Sequence, residues 1–168
     1  MNRELIYNVL KLALIEGAGS VAVPCGETDN GHAVTDVWAY VEQCFVNIPA
    51  ADWDWAFSVL SMHGLAAFAY SAVEKMPQNV RPAKDVLLKF IAADMTSQRE
   101  YAKLTALVGK MEDVIRQSEI KCLLLKGLSL ADYYPKPYTR RFVDIDLYAP
   151  GNEDAVDEVF KSRGVAVD

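Results

Sequence analysis

Through the first two-thirds of the chain, apolar positions recur at steps of three and four, the spacing of one helix face. Residues 3–16 place Leu5, Ile6, Val9, Leu10, Leu12 and Ala13 on such a face and predict a first helix. A stretch dense in turn formers follows, from Gly17 through Gly19, Pro24 and Gly26 to Gly31. Either Thr35 or Asp36 can cap a second helix that runs to about Phe45. Residues 52–62 and 65–75 predict two more helices joined at His63-Gly64, and Pro77 closes this group. Pro82 suits the first turn of a long helix, where a missing N–H loses no hydrogen bond. The stripe Leu87, Phe90, Ile91, Tyr101, Leu104, Val108, Met111 and Ile115 steps mostly by threes and fours. It predicts a helix of roughly 30 residues or more, long for a globular domain.

The pattern changes at Glu119. Residues 120–125 form a short, mostly apolar run, as expected of a strand largely buried on both faces. Residues 127–134 predict a helix ended by Pro135 and Pro137. Residues 142–148 alternate, with Val143, Ile145 and Leu147 facing one way and Phe142, Asp144, Asp146 and Tyr148 the other. Pro150-Gly151 stops this strand, and Asn152 or Asp154 can start a helix to about Ser162. Residues 164–168 read as the opening of a further strand. This order predicts an α+β protein. Residues 1–118 form an N-terminal helical region with one long helix, and 119–168 a partial βαβα unit with a small mixed sheet.

The composition fits this picture. With 168 residues, 52% hydrophobic and 24% charged, the chain can bury a real core. A net charge of −6 argues against non-specific nucleic-acid binding, which needs a basic surface to displace counterions. A small anionic ligand is compatible with it, held by one local basic cluster or a metal. The apolar stretch 5–15 is interrupted by Asn8 and Lys11, so it is too short for a bilayer and unlike a signal-peptide core. Cys25, Cys44 and Cys122 are odd in number and widely spaced, and His32 and His63 complete no zinc pattern. Free thiols in a cytoplasmic protein with no membrane partner are the expectation.

Asp144 and Asp146 lie two apart on the second predicted strand, so both carboxylates project from one face, roughly 6–7 Å apart at their bases. That spacing lets both reach one Mg2+ or two neighbouring ones, with phosphate and water completing the shell. The bland alternative has them at a strand end in water, or paired with Arg140 and Arg141. Lys126-Gly127 ends the first strand. There the N–H groups of 127–129 would face an anion, with charge from Lys126 and a hydroxyl from Ser129. It is equally a plain strand-to-helix turn with a solvated lysine. Arg140 or Arg141 would bind a nucleotide phosphate or neutralise the aspartates. Tyr133, Tyr134 and Tyr138 stack on a base or, more simply, pack. His63 reads as a local hydrogen-bonding residue, Trp38, Trp53 and Trp55 as helix anchors, and Cys122 as a small buried hydrophobe.

Taken together, Leu124-Leu-Lys-Gly127, Leu130-Ala131, Tyr133-Tyr134, Arg140 and Asp144-Ile-Asp146-Leu147 resemble the uncharacterised nucleotidyltransferase family of the polymerase-β-like superfamily. The His63-Gly64-Leu65 junction and the long helix look like that family's N-terminal helical part. The resemblance covers most of residues 50–165, with its specific motifs confined to 124–147. It implies a magnesium-dependent transfer of a nucleoside monophosphate from a nucleoside triphosphate to an unknown acceptor. Asp144 and Asp146 would be the catalytic, Mg2+-holding pair, and Lys126, Gly127, Ser129 and Arg140 would bind the nucleotide. Where the superfamily usually has a glycine-serine pair this chain has Lys126-Gly127, with Ser129 offset, and members of the family look alike in that respect. The superfamily also takes a third carboxylate from a later strand. Here Asp168 is a candidate only by default, so the resemblance implies a truncated core completed by a second chain or a C-terminal segment. Two other readings stay open. One is a catalytically incomplete nucleotide-binding or regulatory module, similar in its Asp-x-Asp to the nucleotidyltransferase component of a toxin–antitoxin system. The other is a helical interaction protein with an accidental motif.

Overall fold

The computed structural model describes residues 2–17, 37–118 and 120–164. The turn-rich stretch after Gly17, the Thr35 or Asp36 cap, Cys25, His32, Glu119, the side chain of Trp38 and the final strand with Asp168 lie outside the described residues.

Helix α1 (Arg3–Gly17) opens with the Asn2 side chain accepting the Leu5 N–H at 3.1 Å. Its apolar face buries Leu5, Val9, Leu12 and Ala13. Helices α2 (Val37–Phe45), α3 (Ala50–Met62) and α4 (Ala66–Val73) complete a helical layer around that face. Alanines at 66, 67, 69 and 72 give α4 a slim profile, so almost the whole helix is buried among its neighbours. Trp53 stacks on Phe45 with centroids 5.9 Å apart, and it anchors α3 as its composition suggests. Trp55 is half-buried against the same core.

Helix α5 (Lys84–Gln117) runs for 34 residues, about 50 Å at 1.5 Å per residue. Asp85 in its first turn and Arg116 in its last complement the helix dipole. Near its start, Val86 and Phe90 enter the helical core, where Phe90 meets Phe57 edge-on at 5.0 Å. Near its end, Ile115 enters a second, smaller cluster with Ala149, Val156 and Phe160. One helix thus spans both cores.

The second cluster is roofed by β1 (Leu123–Leu125), β2 (Asp146–Tyr148) and α6 (Glu153–Lys161). The strands are antiparallel, pairing Leu123 with Tyr148, Leu124 with Leu147 and Leu125 with Asp146, and they form the one sheet among the described residues. The α+β class holds, with differences of detail. The ladder ends at Leu125 because Lys126 and Gly127 both take positive φ and turn the chain away. Asp144 therefore precedes β2 instead of lying within it. The first strand is not buried on both faces: Leu123 is 60% exposed and Leu125 40%, since the described helices cover one side. Residues Gly127–Tyr133 wind as a tight 3-10 helix rather than an α-helix, and Pro137–Thr139 make a second short turn of that kind.

The connecting segment is seated on the helices. Lys136 pairs with Glu74, the Ser97 hydroxyl donates to the Tyr138 carbonyl, and Tyr134 meets Phe68 edge-on at 5.9 Å. Among the described residues no helix is long and apolar enough to cross a membrane.

Candidate active site

The site is built on the turn after β1. Lys126 sits at φ 48° and ψ −144°, a conformation that side chains rarely adopt, and Gly127 follows at φ 39°. The glycine at 127 answers the backbone conformation rather than a lack of space. A Cβ there would lie 3.4 Å from the Phe142 ring and 3.5 Å from the Asp144 carbonyl oxygen. The segment carrying the aspartates thus packs against the turn at ordinary contact distance. Ser129 donates both its backbone N–H (2.8 Å) and its hydroxyl (2.5 Å) to the Lys126 carbonyl, closing the turn from beneath. Arg140 Nε donates to the Gly127 carbonyl at 3.0 Å, while its guanidinium lies 5.8 Å from the Tyr134 ring centroid. One arginine thus ties the turn to the segment before β2.

Lys126, Gly127, Arg140, Asp144 and Asp146 line one open cleft of about 400 Å³. Of the residues singled out from the sequence for nucleotide or metal, Ser129 serves the turn instead, Tyr133, Tyr134 and Tyr138 are not in the lining, and Asp168 lies outside the described residues. The Asp146 carboxylate is 3.2 Å from the Lys126 ammonium, with those side chains 35% and 72% exposed. At that exposure the pair adds at most about 1 kcal/mol, so either partner is free to exchange for a ligand. Of the alternatives left open for the aspartates, Asp146 takes a cation, and the cation is Lys126 rather than an arginine. Asp144 is exposed in the cleft.

The helical layer also reaches the site. Met62, His63 and Gly64, from the junction of α3 and α4, line the same cleft, as does Arg141. Gly64 has φ 70°, and a Cβ on it would stand 3.1 Å from the Arg141 side chain, so junction and aspartate segment meet in close packing. Sequence reasoning gave His63 only a local part. Its position in the cleft depends on a contact across more than seventy residues, which no local pattern reports.

Behind the cleft lies a half-buried polar network. Burial works against the charge on Lys136, but the Glu74 carboxylate outweighs it and holds the ammonium above its usual range. Burial pushes the Tyr138 hydroxyl up, and Asp94 adds to the effect. Asp94 is only 6% exposed and accepts from Gln98 at 2.7 Å. These contacts fix the segment from which Arg140 projects. Cys122, half-buried beneath the sheet, has a thiol pushed up by burial, in keeping with a packing role.

As donors, Asp144 and Asp146 suit a hard divalent cation that keeps one or two carboxylates and completes its shell from phosphates and water. Among the described residues no group of three or more His, Cys, Asp or Glu side chains gathers at one point. The turn after β1 thus shares one cleft of mixed charge with two aspartates and two arginines. The family comparison makes this specific. The model of the uncharacterised nucleotidyltransferase family matches residues 49–168, from the start of α3 through both strands and α6. The chain belongs to that family, and membership supports a general role in nucleotidyl transfer. Comparisons with curated proteins and with solved structures each find no match.

Proposed function

We propose that this protein transfers a nucleoside monophosphate from a nucleoside triphosphate to an acceptor, in the cleft between the Lys126-Gly127 turn and Asp144/Asp146. The observation that carries this reading is that two carboxylates, Lys126, Arg140 and Arg141 converge on one open cleft in a chain of this family.

In this reading Asp144 and Asp146 hold Mg2+, which when bound would offset negative charge on the phosphate oxygens. Lys126 exchanges Asp146 for a phosphate oxygen as the nucleotide arrives, and Arg140 and Arg141 supply further positive charge to the phosphate chain. Gly127 leaves the turn's backbone open to the phosphates, and Ser129 holds that turn. The acceptor oxygen forms its bond to the α-phosphorus as the bond to the bridging oxygen breaks, and pyrophosphate leaves. Residues 1–118 serve as the helical platform and 119–168 as the transfer core. A second chain or a C-terminal segment, with Asp168 among the candidates, supplies any further carboxylate. The setting is cytoplasmic, consistent with Cys44 and Cys122 standing as thiols.

A thermal-shift titration with nucleoside triphosphates and Mg2+ tests the reading. The wild type is expected to gain several degrees, and the Asp144→Asn, Asp146→Asn double variant to gain none. Equal shifts in both would rule out the metal site. Incubation with α-labelled nucleotide then separates an enzyme from a nucleotide-binding module, which would bind without transferring label.

A further inference from the structure

Two of the three most exposed large apolar side chains among the described residues line the aspartate cleft. Tyr133 is 84% exposed, Val143 79% and Met62 74%, and the last two share the cleft with Lys126, Arg140, Arg141, Asp144 and Asp146. Resting on the nucleotidyl-transfer reading above, we infer that Met62 and Val143 form the seat of the nucleobase. The base would be held there by its flat faces, while the charged side chains take the phosphates and Mg2+.

The two side chains are far apart in sequence and reach one cleft through packing. Met62 ends α3, and Val143 lies between Arg141 and Asp144. Their segments meet at Gly64, where a Cβ would stand 3.1 Å from the Arg141 side chain. A single exposed apolar side chain asks for no explanation. Two of them in a cleft lined mainly by charged groups give that cleft an apolar part, and the surrounding charge selects what covers it. Lys126, Arg140 and Arg141 attract an anion, so the ligand must carry an apolar body on an anionic chain. A nucleoside triphosphate has that form.

The other aromatic candidates are engaged or elsewhere. Phe142 lines the cleft, but its ring meets Tyr101 edge-on at 6.5 Å and lies against Gly127. Tyr133, Tyr134 and Tyr138 are not in the lining, so the stacking foreseen for them falls to other side chains. The Met62 thioether suits the face of an aromatic ring, and the β-branched Val143 offers a stiff apolar surface. Covering both removes apolar surface from water, a gain that requires no hydrogen bond. Among the described residues no amide or hydroxyl side chain lines the cleft, so no group of that kind reads the edge of the base.

Calorimetry with two ligands separates the base from the phosphates. Mg2+–ATP and Mg2+–tripolyphosphate, which has a phosphate chain and no base, are titrated into the wild type, Met62→Ala, Val143→Ala and the double variant. Both side chains stand mostly in solvent, so the variants are expected to melt within about 2 °C of the wild type. ATP affinity should fall about threefold to fivefold in each single variant and at least about tenfold in the double variant. Tripolyphosphate affinity should stay the same throughout. An unchanged ATP affinity in the double variant, or an equal loss for tripolyphosphate, overturns the seat of the base and leaves the nucleotide site standing. A wild type that does not bind Mg2+–ATP overturns the nucleotidyl-transfer reading, and the assignment of the base with it.

Discussion

Lys126 is held in a backbone conformation that suits glycine, next to a glycine that also has a positive φ. Holding a lysine there costs on the order of 1–3 kcal/mol, and its exposed ion pair with Asp146 offsets little of that. The turn carries a positive charge to the cleft at the point where β1 ends. Lys126→Gly is therefore expected to keep or raise stability, by up to about 1 kcal/mol in urea denaturation. The same variant should bind nucleotide about tenfold more weakly, through the lost charge-assisted contact. A variant that loses stability and keeps its affinity would show that the strain has no part in binding.

Among the elements, α5 has two unlike halves. Phe90 is fully buried against Phe57, whereas Leu107, on the same helix, is 45% exposed. Phe90→Ala is expected to cost about 3–5 kcal/mol and Leu107→Ala under about 1 kcal/mol, as measured by denaturant midpoints. The helices were legible because each carries its burial pattern in its own residues: Leu5, Val9 and Leu12 on α1, or Phe90 and Ile115 on α5. The strands were less so. Leu123 and Leu125 are as apolar as core residues yet largely exposed, because an apolar run does not say whether a second layer covers it. Asp144 was legible as chemistry but not as geometry, since the ladder's end is set by the backbone of Lys126 on the other strand. The Lys126-Gly127 turn and both aspartates were singled out from their places on the two strands together with the family resemblance, and the structure brings them to one cleft. His63 reaches the cleft through the packing of Gly64 on Arg141, a long-range contact with no local signature.

For the molecule as a whole, the link between Lys136 and Glu74 joins the two layers. The Lys136 ammonium is held above its usual range, so its contribution is fully present below the unfolded value of about 10.5 and is lost as pH rises through the higher folded value. Tyr70 and Tyr138, both raised chiefly by burial, lose their contribution in the same alkaline direction. The melting-temperature gap between wild type and Glu74→Gln is expected to stay constant from about pH 8 to 10 and to close at more alkaline pH. A gap that closes toward neutral pH instead would assign the link to another pair.

The small cluster of Ile115, Ala149, Val156 and Phe160, set against the much larger one around Trp53, also bears on how occupancy can be observed. The side of the molecule with the smaller apolar core opens at lower free energy, so its amides trade hydrogen for deuterium first. Those of Leu123–Leu125 and Asp146–Tyr148 should exchange well before those along the start of α5. A ligand seated over the aspartates would slow the first group and leave the second unchanged. Binding would then be readable as a local change in protection, even for a ligand that leaves the global melting temperature where it was.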